Sequence, residues 1–261
     1  MQASAGLITD WHFYAYAIPA VILFGIAKGG FTGLGVAGTV LMALVIPPLQ
    51  AVAILLPIIL LMDGLSLWIY RGAHDKALLL RMLPFAFAGI GAAALTAGQI
   101  DPDTLRIVLG LIVGLFVIQQ ALGALRRTPA APPPAWFGGV MGFVAGFTSF
   151  LANAGTPPFQ VYVLPLRLES RLYVGTKAVF FAVVNVAKLL PFILLGQFTT
   201  QNLATSAVLA PLAPVGVLIG AYLVRRLPAR VFYAIIYSIL AIAAVKLLYD
   251  GLSRFDPTDL L

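Results

Sequence analysis

Few residues in this chain could do chemistry, and most of them interrupt long apolar runs. Lys28 stands before the stretch 29–39, which holds five glycines together with Thr32 and Thr39. Asp63 lies about two-thirds along one apolar run, and Lys177, Asn185 and Lys188 lie along another. A second polar interruption holds Thr148, Asn153, Gly155 and Thr156. Three cations against one embedded carboxylate leave a surplus of positive charge. Glycine-rich helix starts add free N–H groups and the positive end of the helix dipole, both of which favour anions. The candidate binding set is therefore Lys28, Gly29, Gly30, Thr32, Gly38, Thr39, Asn153, Gly155, Thr156, Lys177, Asn185 and Lys188, and the chemistry is coordination of a small oxyanion. Asp63 either neutralises a buried lysine or holds a coupling proton or a cation such as Na+.

Competing readings attach to each. Lys177 and Lys188 are close enough to segment ends to snorkel, and Lys28 becomes a loop lysine if the segments around it cross the bilayer separately. Glycines also serve simply to let helices approach; Gly110 and Gly114 fit that role. Lys246, near the end of the last apolar segment, reads as a snorkelling lysine. Catalysis has little support, and no cofactor or metal is expected. The two histidines, His12 and His74, fall outside the apolar segments, no cysteine is present, and no serine has a plausible histidine base.

The elements that must position these groups are membrane helices. The 261 residues are 61% hydrophobic and only 10% charged, with a mean hydropathy of +1.03. Charged residues make up about a quarter of a soluble chain, so the composition describes an all-α integral membrane protein in contact with a lipid bilayer. A barrel would alternate apolar and polar residues, whereas these runs are continuous. The net charge of +7 is carried by single or paired basic residues between apolar segments, a mark of membrane orientation rather than of nucleic-acid binding. Residues 1–12 hold no lysine or arginine, which argues against a cleaved leader.

Ten apolar segments are expected. In a first unit, 1–127, short segments at 13–27 and 34–46 flank the glycine-rich break, followed by spans at 50–70, 82–97 and 105–125. A proline-rich linker, 128–135, leads to a second unit, 136–261. There, short segments at 136–151 and 159–168 precede spans at 172–195, 203–224 and 231–249. Gly-Phe-Thr, a spacer and Ala-Gly-Thr occur in both units, at 30–39 and 146–156. Each unit reads short, break, short, then three longer spans, which is an internal repeat. Loops 71–81, 126–134, 167–171 and 225–230 carry three, two, two and three basic residues, while 47–49, 98–104 and 196–202 carry none. By the positive-inside rule the basic loops are cytoplasmic and both chain ends outside. A short pair crosses an even number of times, whether it spans twice or re-enters, so each unit crosses an odd number of times and the two are inverted. Interrupted short segments at matching positions of inverted repeats mark a transport site near the midplane, reached by alternating access. An anion channel or a scaffolding subunit remains the alternative.

The glycine pair Gly29-Gly30 followed by small residues, Pro47-x-Leu49, the second break at 146–158, and Thr176-Lys177 with Asn185-x-x-Lys188 together resemble the sulfite exporter TauE/SafE family. The likeness covers 13–249, with Phe31 where a third consecutive glycine is common. It implies a transporter, not an enzyme, located in the bacterial inner membrane. It also implies small sulfur-containing anions as substrates: sulfite, sulfoacetate or other sulfonates. The residues alone support only a small oxyanion. Oligomeric state, including a homo-oligomer, is left open.

Overall fold

Long helices with leucine and phenylalanine on their outer faces make up nearly all of the computed structural model, which describes residues 7–29, 35–97, 99–125, 132–226 and 229–254. Eleven helices are present among them: α1 (Trp11–Gly29), α2 (Gly35–Ala43), α3 (Pro48–Ile69), α4 (Lys76–Ala97), α5 (Pro102–Leu125), α6 (Ala135–Ala152), α7 (Thr156–Val163), α8 (Ser170–Leu194), α9 (Thr200–Leu209), α10 (Leu212–Arg226) and α11 (Ala229–Arg254). A 3-10 turn, Leu164–Leu166, continues α7. Six helices are long and apolar enough to cross a membrane, or seven spans if the bent pair α9–α10 counts as one. Leu80, Leu95, Leu194 and Ile242 are each more than two-thirds exposed. Water would penalise such a surface by roughly 1.5–3 kcal/mol for each large side chain; hydrocarbon does not. The chain is a multi-pass membrane protein.

The helix boundaries follow from local chemistry. α4 starts six residues before its expected 82, because Asp75 caps it by accepting from the Leu78 amide at 3.0 Å. The expected single span 203–224 is two helices, α9 and α10, bent by 44°. Pro211 and Pro214 sit at the bend, and a proline removes the i→i−4 bond and clashes with the preceding turn. The short pairs are unequal: α1 and α6 have 19 and 18 residues, α2 and α7 only 9 and 8.

The two Gly-Phe-Thr…Ala-Gly-Thr copies do not fall at the same place relative to their breaks. In the second, Gly146-Phe147-Thr148 lies inside α6 and Ala154-Gly155-Thr156 forms the break and the start of α7. In the first, residues 30–34, which include Gly30 and Thr32, fall between α1 and α2 outside the described residues, and Ala37-Gly38-Thr39 lies inside α2.

Packing is organised around α3 and α8. Near one end of the molecule the Asp75 amide donates to Thr176 Oγ1 at 2.9 Å. Near the other, Gln50 Nε2 donates to Asn202 Oδ1 at 3.0 Å. The two helices therefore run antiparallel. α4 packs on α6, α10 on α1, and α5 on α11. The α4–α6 contact is so close that a Cβ on Gly146 would collide with the Ala86 carbonyl, whereas one on Gly91 would meet nothing.

Gly146→Ala should therefore lower the melting temperature in detergent by an amount equivalent to ~1–3 kcal/mol of overpacking. Gly91→Ala should lower it by nothing measurable. Equal melting of the two variants would contradict the close α4–α6 contact.

Candidate functional site

Where α3 and α8 cross, each contributes its sixteenth residue, Asp63 and Asn185. Asn185 Nδ2 donates to Asp63 Oδ2 at 2.6 Å. Asp63 Oδ1 accepts from the Lys28 ammonium, which reaches it from the last turn of α1. Asp63 is 1% exposed, so its charge is held by these two donors rather than by solvent. A buried charge without such partners is strongly disfavoured.

A second cluster lies against the first. α6 ends where Asn153 takes a left-handed conformation, φ 52° and ψ 26°, which asparagine tolerates better than other non-glycine residues. The Ala154 amide then reaches back to the Thr148 carbonyl at 3.1 Å. The Thr148 hydroxyl lies 2.8 Å from the Val144 carbonyl and 3.0 Å from that of Ala154, so this threonine holds the break together from within. The turn aims Asn153 across the molecule. Its Nδ2 donates to Thr39 Oγ1 on α2 at 3.1 Å, and its Oδ1 accepts from Lys188 Nζ at 2.7 Å. Lys188 Nζ also reaches the Ser149 carbonyl at 3.2 Å and Ser149 Oγ at 3.3 Å. An ammonium has three N–H bonds, and these three acceptors match them. Lys188 is 0% exposed; it is a cross-tie between α8 and the end of α6 rather than a snorkelling lysine.

Between the clusters lies a cavity of about 50 Å³. Lys28, Ser149, Asn153, Thr156, Lys177 and Asn185 supply its polar lining, with Phe24, Ile59 and Phe181 among its apolar walls. Lys177 is only partly buried and, among the described residues, donates no hydrogen bond. It stands one residue beyond Thr176, where α8 meets the loop before α4. Of the three lysines in the cluster, Lys28 and Lys188 have polar partners, and Lys177 has none among the described residues.

The other candidate positions take up different places. Gly29 is the last residue of α1. Gly38 faces the Phe24 ring and the Ala20 carbonyl, and Gly155 faces the Ala145 carbonyl and the Phe181 ring, too closely for a Cβ. Neither lines the cavity, and neither do Thr39 and Lys188. Ser149 is the contributor that sequence reasoning passed over. The signal was its position one helical turn before Asn153, which puts both on one face. Lys246 is more than half exposed and pairs with Asp250 at 2.7 Å.

Two outcomes test this geometry. Asp63→Asn should cost about 3 kcal/mol of stability, since it strands Lys28 beside a neutral amide. Adding Lys28→Met should restore most of that loss in a thermal melt. Asn153→Ala should destabilise through both the left-handed turn and the lost cross-tie. Asn153→Gly should recover the turn alone, so a variant as weak as the alanine would contradict the backbone role.

The family model described as "Sulfite exporter TauE/SafE" matches residues 17–247. No curated protein and no solved structure gives a significant match. The matched region includes every described residue of the Asp63 and Lys188 clusters, and the chain belongs to the sulfite exporter TauE/SafE family, a family of membrane transporters.

Proposed function

We propose that the chain is a secondary transporter of small sulfur oxyanions, sulfite first among them, with sulfoacetate and other sulfonates in the same class. The observation that carries this reading is Lys177, an ammonium without an acceptor among the described residues and on the wall of a polar cavity. The cluster holds Lys28, Lys177 and Lys188 against Asp63, a formal surplus of two positive charges. A cavity of about 50 Å³ has room for roughly three or four waters, which is the scale of one compact oxyanion. Lys177 neutralises the anion, and Ser149, Asn153 and Thr156 offer hydrogen bonds to its oxygens. Asp63 fixes Lys28 and Asn185, and it is the group through which a proton or Na+ would be coupled.

Alternating access between two inverted units, 1–127 and 136–261 around the 128–135 linker, is the mechanism. Its support is the antiparallel α3–α8 pair with Asp63 opposite Asn185, and the exchange of partners by which α4 packs on α6 as α10 packs on α1. The plasma membrane is the setting, with the basic loops cytoplasmic and both chain ends outside.

Sulfite should raise the melting temperature of the purified protein by mass action. Lys177→Ala combined with Lys188→Ala should abolish sulfite uptake in proteoliposomes. Normal uptake by that double variant would remove the lysine assignment.

A further inference from the structure

A second, larger cavity of about 460 Å³ opens at the other end of the bundle. Its walls come from three inter-helix loops, before α3, between α4 and α5, and between α8 and α9, none of which carries a lysine or arginine. The polar groups are neutral: Gln50, Gln197, Gln201 and Asn202. Asn202 accepts from Gln50 and donates to the Gln197 carbonyl at 2.8 Å.

What separates this cavity from the lysine cluster is aromatic. Phe150 follows Ser149, and Phe192 stands one turn beyond Lys188; both are 0% exposed. Their ring centroids are 4.8 Å apart. Phe192 in turn lies 6.1 Å from Phe198, which sits in the α8–α9 loop between cavity-lining Gln197 and Thr199. The rings thus form a chain of aromatic contacts from the polar cluster to the wall of the outer cavity. A hydrated anion does not cross such a constriction, because the rings offer nothing to replace its water.

We infer that the Gln50–Gln197 cavity is the second mouth of the transport path, and that Phe150 and Phe192 form the closed gate between it and the Lys177 cavity. Lys188 is the latch. Its bonds to Ser149 and Asn153 tie α8 to α6 directly beside the two rings, so the rings part only when that tie is released. The inference rests on the transporter reading but not on which anion is carried.

The chain contains no cysteine, so a single introduced thiol reports one position. In proteoliposomes, Gln197→Cys should react with a membrane-impermeant maleimide from one face only. Thr156→Cys, on the Lys177 cavity, should be protected from that face. Adding Phe192→Ala should make Thr156→Cys react from the Gln197 face at least tenfold faster. Phe150→Ala, which removes the other ring of the gate, gives the same readout if Phe192→Ala fails to fold in a melting assay. Labelling of Thr156→Cys from the Gln197 face in the parent background would overturn the gate, as would unchanged protection after ring removal. Because the readout is thiol reactivity, a wrong anion assignment would leave these results intact, whereas absence of sulfite stabilisation would count against the substrate alone.

Discussion

One buried carboxylate sets the terms for the centre of this protein. Asp63 sits at the crossing of α3 and α8, almost without exposure, and is held by Lys28 and Asn185. A charge in that position is tolerated only with close donors, and the carboxylate and its two donors come from three different helices. The carboxylate therefore ties the end of α1 to the α3–α8 crossing. It also consumes the charge of Lys28, which leaves the cluster's positive surplus to Lys177 and Lys188. Lys188 is consumed in turn by the end of α6. The arrangement isolates one cation beside a small polar space.

Membrane burial explains why such a centre is affordable. The outer faces of the helices carry leucine, isoleucine and phenylalanine into lipid, while the interior contacts are made by small residues such as Gly89, Gly142 and Gly146. Helix association in lipid depends on close packing and interhelical hydrogen bonds. Polar groups at the centre contribute the second of these, and among the described residues Thr104 Oγ1 is the single buried side-chain polar atom without a partner.

Much of the centre was legible from residue type. A lysine or aspartate inside an apolar run is costly enough to demand a partner, and Lys28, Asp63, Asn185 and Lys188 stood out for that reason alone. Their pairing was not legible, since it depends on which helices cross. Ser149 was hidden because serine is unremarkable on a helix face; its importance comes from the left-handed turn at Asn153 that folds the chain back over it. The break at Pro211 was masked by an unbroken apolar run. The motif copies were misleading in register, because helix ends are set by local caps such as Asp75 and Asn153 and not by matching letters. Gly38 and Gly155 illustrate the same limit: glycine signals close approach, but to a phenylalanine ring or a carbonyl here, as easily as to a ligand.

The central claim is that Lys177 supplies the charge that meets the transported anion. A structure of the protein determined with sulfite present tests it most directly. The account predicts anion density in the cavity between Lys28, Ser149 and Asn185, with an oxygen at hydrogen-bond distance, about 2.7–3.2 Å, from Lys177 Nζ. Anion density elsewhere, with Lys177 turned to lipid or water and the cavity filled by side chains, would contradict it.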